Sequence, residues 1–489
     1  MNKYKTLILF IAIILIAASL RLYRINQLGT FLADQAIELE GTYQILQGKF
    51  TLIGIKTSVS EIRNGAVMYY LMAPILYLLK FDPVAGGVFQ TVLQLGAILL
   101  IYLLFKYSDN QNIGLFSVVF MALSPLLVRY SRQTMLAYFP LFFSTFTFFV
   151  SLKLVQHFQK TLCLIFGFLL GFTLQIHYSA LALIIYAFLI PWLFIERKLI
   201  LKYFIFILFG FFIGFLPMII FELRHEFFQT KMLFSFISSF NQPGPHSQFN
   251  LLNYWRNSIA QLFFAGNGYL SIIYLTALLP ALLIYRNKLK IFDKLSVLQI
   301  ISTFIFTALI VRENVSHYLI TSFIPLFILT ASFIEKLRNT FKFVPIYPLV
   351  IFTMLFLFLY NLSAYGLLEN HGWTMTEGWN LPGTKKSAEI IFTDIKKQNE
   401  KNYNVVMIVD AQNQGLPIRY FLNIWNIAPL SVNQYDKAKY LYILSQPGIL
   451  LEKIKIWELS SFGKYNIDKT WPVQNGFTLI RLSKKSISV

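Results

Sequence analysis

Apolar runs of transmembrane length alternate with short polar connections over the first three quarters of the chain. One membrane-crossing helix needs about 20 predominantly apolar residues. The pattern therefore predicts a mainly α fold, a polytopic transmembrane helical bundle of about eleven spans. The predicted spans cover residues 6–22, 87–105, 113–128, 137–155, 162–174, 180–195, 201–221, 268–285, 295–311, 318–334 and 344–362.

The charge of the connections predicts their side of the membrane. Four connections are short and basic, namely "KLVQHFQK", "ERKLILK", "YRNKLKIFDK" and "EKLRNTFK". Basic loops are retained in the cytoplasm, and these four fall on one side when the spans alternate. The sequence thus predicts a multi-pass protein of the cell (inner or plasma) membrane, with a cytoplasmic N-terminus and an extracytoplasmic C-terminal region.

One further apolar stretch, "NGAVMYYLMAPILYLLKF" over residues 64–81, does not fit as a span. Pro74 interrupts it, and counting it as a span would move the basic connections outside. It is predicted to be a helix on the outer membrane surface. That helix lies in a first external loop over residues 23–86.

The composition changes from about residue 363, where Lys, Asn, Asp and Gln become more frequent. The segments "VVMIVD", "YLYILS" and "FTLIRLS" are predicted strands, and "GTKKSAEIIFTDIKKQNE" has helical periodicity. Strands that alternate with helices predict a small α/β domain. The chain is thus divided into a membrane domain, residues 1–362, and an extracytoplasmic domain, residues 363–489. No glycine fingerprint follows a strand, so no nucleotide is assigned.

Composition narrows the class of partner. The 489 residues are 56% hydrophobic, and the net charge is +20 at pH 7. A basic charge of this size suggests nucleic acid in a soluble protein, but here most Lys and Arg flank apolar runs as topology signals. The predicted partner is the lipid bilayer, not nucleic acid. Cys163 is the only cysteine, which excludes an intrachain disulfide.

Ionisable side chains concentrate in the predicted outer connections, where topology does not require them. Asp34, Glu38 and Glu40 follow the first span closely, and each outer connection carries Arg or His. Such groups at membrane ends are functional candidates. Arg pairs with phosphate oxygens, and a carboxylate accepts the proton of an attacking hydroxyl. The set fits glycosyl transfer from a lipid-phosphate sugar, which needs no ATP and suits the absent P-loop.

At these positions the chain resembles the GT-C glycosyltransferases, especially the bacterial branch related to protein O-mannosyltransferases and lipid A aminoarabinose transferases. The segments that carry the resemblance are "LRLYRINQLGTFLADQA", "NGAVMYYLMAPILYLL", "SPLLVRYSRQTML", "LPMIIFELRHEFFQT" and "HYLITSFIP". The resemblance implies an inverting transferase that uses a polyprenyl-phosphate-linked sugar donor, an extracytoplasmic lipid, glycan or protein acceptor, and Asp34 as the catalytic base. It also implies the external surface helix.

The remaining candidates follow from these segments. Arg63 and Arg132 are the leading phosphate contacts, followed by Arg224, His317 and His177. Tyr69, Tyr70 and Glu61 are assigned to the substrate groove, although the two tyrosines also fit an interfacial aromatic belt.

Three of the acids have structural interpretations as well. Asp34 suits the N-cap of the helix "QAIELEGTYQIL", and Glu38 and Glu40 suit a solvated helix face. Some relatives bind a divalent metal, and Glu222 with His225 is the weak candidate pair here, since an acid and a histidine three residues apart are not a full ligand set. No cofactor is assigned with certainty.

Two other functions compete with glycosyl transfer. A transporter or flippase for lipid-linked sugars predicts paired repeats and charges near the middle of the membrane, whereas no clear repeat is seen and the charges lie toward one face. A polysaccharide ligase or polymerase of another fold also uses a lipid-linked donor. Such enzymes place basic residues in a large late external loop, and this chain has few in "FQTKMLFSFISSFNQPGPHSQFNLLNYW".

Overall fold

The computed structural model describes residues 3–57, 61–106, 110–239, 249–340, 345–409, 412–449 and 451–485, and most of them are helical. The helices are α1 (Lys3–Leu22), α2 (Ile25–Leu28), α3 (Ala33–Leu46), α4 (Val67–Leu78), α5 (Val84–Lys106), α6 (Gln111–Ala122), α7 (Pro125–Tyr130), α8 (Pro140–Gln156), α9 (Lys160–Ile176), α10 (Leu181–Phe194), α11 (Ile200–Gly214), α12 (Leu216–Arg224), α13 (Phe228–Ser239), α14 (Leu251–Phe263), α15 (Gly268–Ile284), α16 (Ile291–Ile310), α17 (Ile320–Thr340), α18 (Ile346–Tyr360), α19 (Leu381–Gln398), α20 (Leu416–Ile424) and α21 (Trp457–Phe462). The strands are β1 (Ile53–Lys56), β2 (Arg63–Gly65), β3 (Tyr403–Met407), β4 (Tyr440–Ser445), β5 (Tyr465–Pro472) and β6 (Thr478–Lys484).

Every predicted span coincides with a helix or a bent pair of helices, which confirms the predicted fold class. Within the described ranges, five helices are individually long and apolar enough to cross a membrane, and the number rises to as many as eight if each bent pair is one span. The shorter apolar helices α9, α10 and α18 occupy the three remaining predicted positions. Val344, the first residue of the last predicted span, lies outside the described residues.

Two of the predicted spans are bent where a proline follows the first helical segment. The axes of α6 and α7 meet at 60°, and those of α11 and α12 at 67°. Pro125 and Pro217 lie in the first turns of α7 and α12, where a missing N–H is tolerated but the preceding helix cannot continue. The freed carbonyls of Met121 and Ala122 accept the guanidinium of Arg21 at 3.0 and 2.9 Å.

α9 and α11 pack with their backbones in direct contact. Gly167 and Gly171 of α9 face α11, and Gly210 and Gly214 of α11 face α9. A β-carbon added at Gly171 would lie only 2.3 Å from the carbonyl oxygen of Phe211. Small residues allow this approach in a membrane, where van der Waals packing between helices replaces the hydrophobic effect.

The first external loop forms a compact layer over the outer end of the bundle. α3 packs against α4, and the hairpin β1–β2 joins them. The ring of Tyr69 in α4 lies against Gly41 of α3, where an added β-carbon would meet it at 2.6 Å. The predicted surface helix is confirmed as α4, with Met72 buried and Tyr77 exposed. Residues 58–60 of this loop are not among those described.

A four-stranded sheet forms the centre of the C-terminal domain, in the order β3–β4–β6–β5. β3 and β4 are parallel, and β6 is antiparallel to both of its neighbours. The three predicted strands are confirmed as β3, β4 and β6, and the predicted helix as α19, although Asp410 at the end of the first predicted strand falls outside the described residues. The edge strand β5 was not predicted, because most of its side chains are exposed and mixed in polarity.

The C-terminal domain packs directly on the first external loop. The ring of Phe31 contacts the rings of Tyr420 and Phe421 edge-on, with centroids 5.8 and 6.0 Å apart. The Tyr420 hydroxyl donates to the carbonyl of Phe81 at 2.8 Å. One buried apolar cluster includes residues from both parts of the chain, while the division at about residue 362 stays a prediction.

Candidate active site

α3 carries two acids one turn apart. Asp34 is the second residue of the helix and Glu38 lies four residues further on, so both side chains project from one face. Asp34 is not the N-cap, because Leu32 holds that position and its N–H donates to the Gln35 amide oxygen at 3.0 Å. The Asp34 carboxylate thus stays available in the first turn. Part of it reaches solvent, yet desolvation by the surrounding protein raises its pKa above the ordinary value.

Glu38 is buried, so its predicted place on a solvated helix face is wrong. Its side chain is 2% exposed. Oε1 accepts the N–H of Leu136 at 3.0 Å, while Oε2 has no hydrogen-bond partner within the described part of the chain. Burial raises the pKa of Glu38 to about 8, the Leu136 N–H acts in the opposite direction, and the charge of Asp34 raises it further. Glu38 therefore holds a proton at neutral pH.

Rings from three connections gather beside the two acids. Tyr138, between α7 and α8, stacks on Tyr130 with centroids 3.7 Å apart and interacts electrostatically with Glu38 and Asp34. Its ring centroid lies 6.2 Å from that of His317, which precedes α17. The two predicted histidines come together here. The centroids of His317 and His177 are 5.3 Å apart.

His177 is held in one tautomer by the turn that follows α9. Its Nδ1 accepts the N–H of Ser179 at 3.2 Å and lies 3.0 Å from the Ser179 hydroxyl. A ring nitrogen that accepts a hydrogen bond carries no proton, so the neutral ring has its proton on Nε2. Burial lowers the pKa of His177 to about 4. At neutral pH this side chain offers an anion a hydrogen-bond donor, not a positive charge.

Arg63 lies at the start of β2, close to the acids of α3. Its backbone N–H donates to the Gln229 amide oxygen at 2.9 Å, and its carbonyl accepts the Tyr178 hydroxyl at 3.3 Å. The guanidinium itself is only weakly engaged, since its contact with the Gly54 carbonyl is 3.5 Å long. It retains donors for an anionic group.

Arg132 is fixed by backbone carbonyls instead. It is 4% exposed, and its two terminal amino groups donate to the carbonyls of Tyr365 at 2.6 Å and Leu20 at 2.7 Å. These bonds connect the end of α1 with the segment after α18. Its assignment to the donor phosphate stays a prediction, and the observed contacts are those of a structural arginine.

The end of α12 does not fit a metal centre. Both carboxylate oxygens of Glu222 accept N–H groups at the start of α13, from Gln229 at 2.8 Å and Thr230 at 2.9 Å. His225 directs Nδ1 at a backbone carbonyl of α12, 2.9 Å away, and Arg224 is exposed. Glu222 thus caps a helix. Among the described residues there is no group of three or more His, Cys, Asp or Glu side chains with the geometry to hold a metal ion.

The three residues assigned to the groove lie in different surroundings. Tyr69 is buried and points toward α3. Tyr70 is exposed, and its hydroxyl donates to the Thr51 carbonyl at 2.7 Å. Glu61 forms an exposed ion pair with Lys56. Of the three, Tyr69 lines a cavity.

That cavity has a volume of about 670 Å³ and lies between the first external loop and the C-terminal domain. Gly41, Tyr69 and Arg63 line it on the loop side, and Tyr420 and Asn423 on the other. Its size falls within the usual range for small-ligand sites, about 300–1,000 Å³.

Sequence reasoning gave no role to Glu38 or Tyr138. The spacing of four residues between Asp34 and Glu38 was a usable signal, because it puts two acids on one helix face. What the sequence does not contain is the identity of the facing segment, whose Leu136 N–H binds Glu38.

Part of the chain matches a known family. Residues 64–221 match the family model described as dolichyl-phosphate-mannose-protein mannosyltransferase, a range that does not include Asp34. Comparison with curated protein sequences gives no match.

Solved structures share the fold over nearly the whole chain. ArnT from Cupriavidus metallidurans bound to undecaprenyl phosphate superposes with a TM-score of 0.63 at 9% identity, covering 97% of each chain. Its apo state gives 0.59 at 10% identity, again over 97% of each chain. The Archaeoglobus fulgidus oligosaccharyltransferase tethered with an acceptor peptide gives 0.55 at 12% identity, over 90% of this chain and 69% of that one. The predicted resemblance is thus confirmed: the chain has the GT-C fold, and the family match together with this fold indicates a membrane glycosyltransferase.

Proposed function

We propose that the protein transfers a sugar from a polyprenyl-phosphate donor to an extracytoplasmic acceptor, with inversion at the anomeric carbon. The observation that carries this proposal is the acid face of α3. There, a carboxylate with a raised pKa lies one turn from a buried carboxyl that has a free oxygen. Acids whose surroundings shift their pKa values are typical of sites that catalyse proton transfer.

Asp34 is the proposed general base. As the acceptor hydroxyl attacks the anomeric carbon, its proton passes to an Asp34 carboxylate oxygen. The bond between the anomeric carbon and the phosphate oxygen breaks, and polyprenyl phosphate leaves with the bonding electrons. A base with a raised pKa takes up this proton more readily than an ordinary aspartate.

Glu38 has a positioning role in this proposal. In its neutral form it adds no second negative charge next to Asp34, and it holds the connection that carries Tyr138 through the Leu136 N–H. A neutral carboxyl also avoids repelling the phosphate. This role differs from that of a base, because it requires the shape and hydrogen bond of the group and not its charge.

Among the predicted phosphate contacts, Arg63 has the most accessible guanidinium near the acids. It would stabilise the charge that develops on the leaving phosphate. His177 and His317 would add hydrogen bonds, since Nε2 of His177 carries the ring proton. Arg132 and Arg224 remain weaker candidates, the first because carbonyls occupy its amino groups.

The location follows the same proposal. The protein resides in the cell membrane with its N-terminus in the cytoplasm, and the site faces the extracytoplasmic side. The acids, the cavity and the C-terminal domain all lie at one end of the helical bundle, which agrees with a donor that reaches the site from the outer leaflet.

The deciding experiment measures transfer of labelled sugar from a panel of polyprenyl-phosphate donors. Purified protein in lipid is supplied with membrane extract as the acceptor. We expect transfer from at least one donor, and a loss of about 10²–10⁴-fold in Asp34→Asn, because a general base contributes about that factor.

The matched control is Asp436→Asn, which changes an exposed acid of the C-terminal domain and should leave transfer unchanged. If folded Asp34→Asn protein had full activity, Asp34 would not be the general base. Movement of intact donor across the bilayer without transfer would favour a flippase, and en bloc transfer of a preassembled glycan would favour a ligase.

A further inference from the structure

The cavity between α3 and the C-terminal domain is built outside the membrane. All of its lining residues belong to the first external loop or to residues 416–432 of the C-terminal domain. The wall contains no residue from a transmembrane span. Charged and polar side chains are frequent in the lining, so the cavity suits a water-soluble group.

The lining contains hydrogen-bonding groups whose capacity is unused. Oε2 of Glu40 is buried and has no hydrogen-bond partner in the described ranges, whereas Oε1 accepts a long 3.3 Å bond from Gln44. On the same side, the Arg63 guanidinium makes one hydrogen bond within the described ranges, its 3.5 Å contact with the Gly54 carbonyl. Glu40 is also half-buried, and not on the fully solvated face that the sequence predicted. A buried acceptor without a donor is costly unless a ligand supplies one.

The opposite wall adds polar groups from the C-terminal domain, including Arg419, whose guanidinium donates to the carbonyls of Gln414 and Leu430. Asn423 of α20 and Ser431 line it together with the ring of Tyr420. A site with a carboxylate, a guanidinium, an amide, a hydroxyl and aromatic rings offers both donors and acceptors around an apolar surface. Multiple hydroxyl groups on a compact ring satisfy such a mixture, because each hydroxyl both donates and accepts.

The cavity and the acid pair share α3. Ala36, Ile37 and Gly41 line the cavity, whereas Asp34 and Glu38 are not in its lining. Tyr69, which also lines the cavity, touches Gly41 and interacts electrostatically with Glu38. Tyr69 is therefore the link between the cavity and the acid pair.

We infer that this cavity binds a carbohydrate acceptor and that the C-terminal domain forms its outer wall. The inference rests on the proposed function and extends it, because it assigns the acceptor class and a role for the C-terminal domain. The donor approaches from the membrane side, and the acceptor sugar enters where Gln44, Lys56 and Ser431 reach solvent.

The first test measures binding without turnover. The probe is the oligosaccharide fraction released from host membranes by mild acid, titrated calorimetrically into the full-length protein in nanodiscs with no donor present. We expect saturable binding by the wild type and at least tenfold weaker binding by Ser431→Trp, whose larger ring fills the cavity mouth. Asn433→Trp, two residues away on the exposed surface but outside the lining, should bind as the wild type does.

Glu40→Gln gives a second variant that preserves shape. It replaces the unpaired acceptor oxygen with a group that can also donate, and we expect at least a threefold loss of binding. Three results would each overturn the inference. They are no binding by the wild type, equal binding by Ser431→Trp and the wild type, and saturable binding of a membrane peptide fraction in place of the oligosaccharides. These outcomes do not depend on Asp34 or on any donor, so they are distinct from a failure of the proposed function.

The second test uses transfer kinetics with the donor that the panel identifies. Ser431→Trp should raise the KM for acceptor at least tenfold, while the KM for donor stays at the wild-type value. A variant that merely damaged the fold would lower kcat instead. A fall in kcat with an unchanged acceptor KM would therefore overturn the assignment.

Discussion

Asp293 and Glu38 are two buried acids at opposite ends of the bundle. Asp293, in the first turn of α16, forms an ion pair with Lys336 at 2.8 Å and accepts the N–H of Lys290 at 3.0 Å. Glu38, on α3, accepts one backbone N–H and has no cation paired with it among the described residues. Each acid leaves one oxygen without a partner in the same ranges, so the main difference between them is the lysine.

The difference concerns how each acid is accommodated. A buried charge that is paired with a cation fixes two helices together and has little freedom to exchange a proton. A buried acid without a cation becomes neutral instead, because burial raises its pKa and the charge of Asp34 raises it further. The end of the bundle that carries α3 thus holds an acid that burial keeps neutral.

The largest effect expected from this comparison concerns Lys336→Met. Removing the lysine leaves Asp293 buried without its partner, so we expect the free energy of unfolding to fall by about 3–5 kcal/mol. Transfer activity per folded molecule should be unchanged, since the pair lies away from the outer site. Thermal unfolding in detergent and transfer assays on the folded fraction measure both quantities.

The matched control is the double variant Asp293→Asn with Lys336→Met, which removes both charges. It should regain most of the lost stability. A single variant as stable as the wild type would mean that the ion pair contributes nothing, and the contrast with Glu38 would then be lost.

Gly171→Ala tests a region that contains no ion pair. Its new methyl group would meet the carbonyl oxygen of Phe211 at 2.3 Å, so α9 and α11 must separate. We expect a loss of about 1–3 kcal/mol in stability, as for other overpacked sites. Gly268→Ala is the control, because its added β-carbon has only an ordinary 3.8 Å neighbour. Equal stability of the two variants would show that backbone contact does not hold this pair.

The smallest effect is the pH dependence introduced by Glu38. Its pKa is about 8 in the folded protein against 4.5 ordinarily, so between these values the folded state binds the extra proton and stability falls as pH rises. Glu38→Gln cannot ionise and lacks this decline. We expect the thermal midpoint of Glu38→Gln to rise relative to that of the wild type by about 1–2 °C for each pH unit between 4.5 and about 8. Most transfer activity should be retained.

Glu38→Leu, which cannot accept the Leu136 N–H, is the comparison variant and should lose both stability and activity. If Glu38→Gln were as inactive as Asp34→Asn, then Glu38 would have to ionise during the reaction, and its positioning role would be wrong.

The sequence predicted the membrane fold well because the bilayer imposes a simple rule on every span. Apolar length located a helix or a bent helix pair at each of the eleven predicted positions, and the exclusion of α4 as a twelfth span stays a prediction from the basic connections. Within the site the rule no longer helps. A helical pattern showed that Asp34 and Glu38 share a face, but burial of Glu38 depends on Leu136, which is distant in the sequence. The contacts of Arg132 and Glu222 could not be predicted either. Both side chains bind backbone groups, which every residue has, so no sequence pattern marks these partners.

The contacts of Arg21 have a consequence for how the protein is made. Its guanidinium binds the carbonyls of Met121 and Ala122 and the side chain of Gln94, all of which are synthesised much later than α1. An arginine in the last turn of a first transmembrane helix is costly to expose to lipid. We therefore expect α1 to reach its final packing during biogenesis only after α5 and α6 have been inserted.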